Sequence, residues 1–151
     1  MARLKAAEPQ EATNSILIPF RAEWKEPILE SKISVVFRKR GPKSRELDWI
    51  YCYVKAPESA ILARCKISRY ETLPLNKATT LCEFAGLTEV ELRQYAAGYE
   101  SLAVFRLATI QPARRPVSLK ELAADFYFKP VQGFLILSKD GKTQLDKALG
   151  F

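Results

Sequence analysis

Short apolar runs rich in β-branched and aromatic residues punctuate the chain: ILIPF (residues 16–20), ISVVF (33–37), WIYCYVKAP (49–57), AILARCKISRYETL (60–73), SLAVFRLATI (101–110) and FLILS (134–138). Runs of this length and composition form strands. Short helical patterns interrupt them in no regular strand–helix–strand alternation, which argues against a doubly wound parallel sheet. The pattern predicts an α+β protein, a mixed β-barrel of about five to six strands with flanking short helices.

The individual runs carry finer expectations. Continuous apolarity in ISVVF suggests a strand covered on both faces. Pro19, inside ILIPF, points to an edge position or a bulge, because proline cannot donate to a ladder. The runs at 49–57 and 60–73 read as a hairpin about a proline-containing connection. Between the strands lie helical patterns. RAEWKEPILESK puts Trp24, Ile28 and Leu29 on one face, with Pro27 shortening or distorting the helix. KATTLCEFAG and LTEVELRQYAAG follow, the latter with a capping box at Thr88 and Glu91 and a stop at Gly98. SLKELAADF carries a second Ser-x-x-Glu pattern at Ser118 and Glu121. QPARRP reads as a connector, and KDGKTQLDKALGF as a turn at Asp140 and Gly141 followed by a final amphipathic turn of helix.

A chain of 151 residues fits one domain. Residues 1–15 lack periodicity and read as a flexible tail, with a single domain over 16–151. The net charge of +7 attracts polyanions, nucleic acid before an anionic membrane surface. No run approaches the roughly 18 to 20 apolar residues of a membrane-spanning helix, and no apolar signal core follows Arg3 and Lys5. A cytoplasmic protein is expected. With no histidine among the 151 residues and three cysteines without metal-ligand spacing, neither a zinc site nor Ser/His/Asp catalysis is expected. Cys52 and Cys65 read as small buried hydrophobes, and no cofactor is called for.

The segment FRKRGPKSR (residues 37–45) sets five basic residues in nine at the end of the ISVVF strand. It is either a solvated turn or a surface for a phosphate-bearing partner. The order of elements decides how to weigh this, because over residues 16–137 the chain resembles the ASCH domain, a PUA-like family of small barrels. FRAEWKEPIL supplies Arg21, Glu23, Trp24, Ile28 and Leu29 of its opening step. SKISVVFRKRGP lies over the family signature GxKxxExR, with Arg38, Lys39, Arg40 and Pro42 keeping its basic end. Ser31 stands for the glycine, Ile33 for the lysine and Val36 for the glutamate. WIYCYVKAPESAILARCKI, YAAGYESLAVFRL and KPVQGFLIL, with Pro130, Gln132 and Phe134, resemble later elements in the right order.

The resemblance implies RNA-linked roles, and in some members hydrolysis by a lysine, a hydroxyl residue and a glutamate. Ile33 and Val36 can do neither catalytic job. Lys32 is one residue off and points to the opposite strand face; with Glu91 it is a weak catalytic candidate. A nuclease would need magnesium on acids such as Glu23, Glu89 or Glu91. Binding demands only cations for phosphates and flat rings for unpaired bases. Arg21, Arg38, Lys39, Arg40, Lys43, Arg45 and Lys55 offer the charge, and Gln132 a polar contact near the last strand. Tyr51, Tyr53, Trp24 and Tyr95 are the rings, Tyr53 foremost because it shares a strand face with Lys55. The expected function is binding of RNA or another nucleic acid in a basic cleft. The alternatives are an RNA-processing or modified-nucleoside hydrolase, and a transcription-associated regulator acting through a protein partner.

Overall fold

In the computed structural model, residues 4, 12–43, 46–126, 128, 129 and 132–151 are described. The strands are β1 (Ala12–Phe20), β2 (Val35–Arg38), β3 (Trp49–Val54), β4 (Ala60–Pro74), β5 (Ser101–Ser118) and β6 (Leu135–Ser138). The helices are α1 (Lys25–Leu29), α2 (Leu75–Ala78), α3 (Glu89–Tyr95), α4 (Leu119–Phe126) and α5 (Lys139–Leu149), with 3-10 segments at Ala22–Trp24 and Thr79–Ala85. The strands form one sheet in the order β2-β5-β4-β3-β1-β6. Among the described strands β1 and β3 run parallel and the other neighbours are antiparallel.

The sheet is curled and not closed into a barrel, which corrects the barrel expected from the strand count. Laid flat, β1 and β2 would stand four strand spacings apart, about 19 Å. Yet the Arg38 guanidinium, at the end of β2, donates to the Pro19 carbonyl of β1 at 3.0 Å. A side chain therefore spans a gap that backbone pairing leaves open. The register shifts within the β4–β5 pair fall between Ile61 and Ala63 and between Lys66 and Arg69, where the two long strands bend.

Three apolar clusters follow from the curl. Ile16, Ile18 and Phe20 pack with Ile33, Val36, Cys52, Val54 and Phe105 on the inside. On the outside, Leu17, Tyr51, Tyr53 and Leu137 are covered by Leu122 and Phe126 of α4 and by Leu145 and Leu149 of α5. Val35, Phe37 and Val104 lie under Ala78, Ala85, Leu92 and Ala96. Val35, Val36 and Phe37 of ISVVF are thus buried with both faces of β2 covered, as expected, while Ser34 before them is exposed. Cys52 and Cys65 are buried with their sulfurs 3.5 Å apart, and their contact, ahead of burial, pushes the Cys52 thiol well above its ordinary range.

Several expectations change. Pro19 lies in β1, an internal strand, but the β6 pairing ends at Leu17, so nothing there asks it for a donor. QPARRP is the second half of β5, paired to β4 through Ala63 and Pro112. The pairing with β2 stops at Arg106, which leaves the other edge free to tolerate Pro112 and Pro116. Asp140 and Gly141 are no turn; they open the eleven-residue α5, whose N-terminus is capped by Ser138 accepting the Gly141 N–H at 3.0 Å. At the N-terminus, β1 already begins at Ala12, and the buried Leu4 donates its N–H to the Phe126 carbonyl at 2.8 Å. The rest of the expected tail, residues 1–3 and 5–11, lies outside the described residues. The Thr88–Glu91 capping box forms in full. Among the described residues no helix is long and apolar enough to cross a membrane.

Helix α5 is fastened by a polar cluster. The buried Tyr51 hydroxyl donates to Asp146, which pairs with Arg64 at 3.2 Å and Lys142 at 2.8 Å. The Arg64 guanidinium lies 4.2 Å from the Trp49 ring and 4.0 Å from that of Phe151, and donates to Gln111 at 2.9 Å. Burial first, then the Asp146 carboxylate, raises the Tyr51 phenol above its ordinary pKa. Raised in the folded state and near 10 in the unfolded chain, it contributes stability that is complete below about pH 10 and declines above it. Urea midpoints followed from about pH 8 to about pH 11 should fall more steeply for the natural chain than for Tyr51→Phe; parallel curves would contradict this linkage.

Candidate functional site

The basic segment begins where β2 ends. The antiparallel pairing of Arg38 with Ala103 holds its backbone, and its side chain turns towards β1. One Nη donates to the Phe37 carbonyl at 2.7 Å, the other to the Pro19 carbonyl at 3.0 Å, and the guanidinium carbon stands 4.6 Å from the Phe20 ring centre. Arg38 retains some exposure as a residue, but its head is enclosed enough that desolvation lowers its pKa, with Tyr95 and Cys52 opposing. It stays charged at neutral pH. Among the described residues no carboxylate pairs with it. Among the described residues, two of its five N–H donors find an acceptor.

The following residues are held rather than loose. Lys39 donates its backbone N–H to the Tyr95 hydroxyl at 3.2 Å, and its ammonium lies 5.2 Å from the Tyr95 ring and 5.5 Å from the Tyr99 ring. The Tyr70 hydroxyl, its ring against Phe105 at 4.8 Å, donates to the Pro42 carbonyl at 2.5 Å. Gly41 is required by this approach: a Cβ there would collide with the Tyr70 hydroxyl and stand 3.1 Å from the Ala103 Cβ. Arg40 and Lys43 project into solvent; Arg45 lies outside the described residues.

The parallel β1–β3 pair brings further cations to the same end of the sheet. Phe20 stands opposite Val54, and Lys55 donates its N–H to the Phe20 carbonyl at 2.8 Å, so Arg21 and Lys55 leave adjacent strands side by side. Both are exposed; Arg21 approaches Glu23 at 3.8 Å. Gln132 is exposed, and the antiparallel register that sets Leu17 opposite Leu135 carries it towards the Phe20 end. Pro130 lies outside the described residues.

The rings distribute differently from expectation. Tyr53 is 4 % exposed and packs on Phe128 at 5.7 Å. It cannot stack a base, because its face of β3 is the one that α4 and α5 cover. Tyr51 is buried for the same reason, and Trp24 packs against the inner cluster. Tyr95 is the ring left exposed beside the basic segment. The sequence holds a hint of this in the position of Tyr95 at the end of a polar helix, and none of the tether from Tyr70.

The catalytic candidates do not assemble. Lys32 is exposed and pairs with Glu30 at 2.6 Å; that partner raises its pKa, the direction opposite to the lowering a base or nucleophile needs. Glu91 is spent on its capping box, Glu89 pairs with Arg93 at 3.4 Å, and Glu23 lies on another element. Ile33 and Val36 are buried in the inner cluster. Ser31 has a φ of 54°, the left-handed region that favours glycine, which supports setting it at the signature glycine.

No protein-family model matches the chain, and none of the curated proteins does. Solved structures do. The structure of ASCH from Zymomonas mobilis superposes with a TM-score of 0.78 at 25% identity, covering 89% of this chain and 94% of that one. A serine-to-alanine variant of the same protein gives 0.81 at 25% identity, with 89% and 95% covered. The N-terminal domain of Staphylothermus marinus McrB shares the fold at 0.64 with 9% identity, covering 95% of this chain and 98% of its own.

The fit of Gly41 yields a test. Gly41→Ala should destabilise the protein by about 1–3 kcal/mol, as forced overpacking does, measured by urea unfolding. Tyr70→Phe removes the colliding oxygen, so the double variant should be more stable than the two single effects summed; strict additivity would contradict the assigned contact.

Proposed function

Because the chain has the ASCH domain fold, a PUA-like fold, we propose that it binds RNA, or another nucleic acid, through a basic surface centred on Arg38. The observation that carries this reading is an enclosed guanidinium held by two carbonyls, with donors to spare and no carboxylate against it among the described residues. An enclosed charge without a partner is costly, and an anionic ligand would supply the partner. Arginine presents a planar fork that suits a phosphate. Lys39, Arg40 and Lys43 continue the chain from it, and Arg21 and Lys55 flank it, so that further phosphates of one strand would meet further cations. Gln132 offers a polar contact on the β6 side.

The hydrolytic alternative has no comparable support. Its two signature positions hold Ile33 and Val36, and Lys32 is ion-paired. Nothing in the fold favours the third reading, action through a protein partner.

A titration tests the proposal. Single-stranded RNA of roughly eight nucleotides should bind, and affinity should fall steeply between about 50 and 200 mM salt. Arg38→Gln should weaken binding at least about tenfold and flatten the salt slope by about 0.7, the share of one phosphate on a single strand. Lys43→Gln should do less. No binding, or binding indifferent to salt, would contradict the reading.

A further inference from the structure

Four large apolar side chains stand exposed among the described residues: Phe84, Val90, Tyr95 and Phe151. Phe151 lies against Arg64. Tyr95 is tied to the basic segment, and its ring is held in place there: its hydroxyl accepts the Lys39 N–H at 3.2 Å while its face receives the Lys39 ammonium at 5.2 Å. Helix α3 delivers it from the other side of the segment, with Leu92 and Ala96 buried beneath. The residue that Tyr95 holds, Lys39, follows Arg38 directly in the chain.

We propose that Tyr95 is a stacking shelf for an unpaired base, which makes the ligand of this site a single-stranded segment and not a duplex. The inference rests on the reading of Arg38 as a phosphate contact. A nucleotide joins an anion to a flat ring, so a phosphate on Arg38 leaves its base beside the adjoining aromatic. In the free protein Lys39 covers that ring. A cation over an exposed ring is held more weakly than a stacked base, so a base displaces the ammonium. Bases inside a duplex are already stacked and cannot use the shelf.

The test compares three probes of equal length: single-stranded RNA, the same backbone without bases, and an RNA duplex. Tyr95→Leu keeps an apolar side chain without a ring, and Tyr95→Phe keeps the ring without the hydroxyl. Tyr95→Leu should lose about tenfold in affinity for the single strand, in the range of one lost base stack, with its salt slope unchanged. It should bind the baseless backbone as the natural chain does. Tyr95→Phe should stay within about twofold of the natural chain on the single strand, because the stacking face remains. The natural chain should prefer the single strand to the duplex. If Tyr95→Leu binds the single strand normally, or loses as much on the baseless backbone, or if the duplex binds equally well, the shelf is refuted while the Arg38 surface stands. If the natural chain binds no probe, both readings fall.

Discussion

A hydrogen bond from the Arg38 guanidinium to the Pro19 carbonyl joins two strands that share no ladder. The Arg38 head takes its position from that contact, beside the cations that the β1–β3 pairing brings to the same end. The contact is possible only because the sheet is curled: β1 and β2 approach within a side chain's reach only when the strands between them bend. The bends fall where the long β4–β5 pair shifts register. The curl in turn creates the inner cluster, in which Ile16 and Val36 from distant strands pack together.

The same contact places a cation where an apolar seam would have served the fold more simply. Enclosing a charge is unfavourable unless it is paired, and two carbonyls satisfy only part of a guanidinium. Phe20 covers one face of the head without neutralising it. Around it the chain is tied by Tyr70 and Tyr95 and passes through a glycine that no larger residue could replace without displacement. A turn kept only for solubility needs none of these restraints. A partly satisfied cation on a tethered segment is the arrangement that recognition of an anion asks for. The proposed reading assigns it to binding, and the positions that the resemblance sets at a lysine and a glutamate hold buried Ile33 and Val36.

The strands were legible because β-branched runs such as ISVVF have few other uses, and the Thr88–Glu91 box was legible because its spacing is local. Arg38 was legible through its place in a signature. What failed was long-range. Tyr53 shares a strand face with Lys55 by periodicity, but only the docking of α4 and α5 decides that this face is covered. The prolines of QPARRP spoke for a connector because nothing local reveals that β5 has a free edge there. Gly141 spoke for a turn because its role, receiving the Ser138 cap at the start of α5, depends on the helix being anchored by Tyr51 and Arg64 far away in sequence. The expected barrel is instead an open, curled sheet, because strand number says nothing of whether the last two edges meet.

The most direct test of the account looks at the Arg38 guanidinium itself. Its Nε–H resonance, assigned by comparison with Arg38→Lys, can be followed by nitrogen-resolved NMR while short single-stranded RNA is added. The account predicts a saturable shift of this resonance, and slowed exchange of its proton with water, in step with binding. RNA that binds while the Arg38 Nε–H stays unmoved would contradict it.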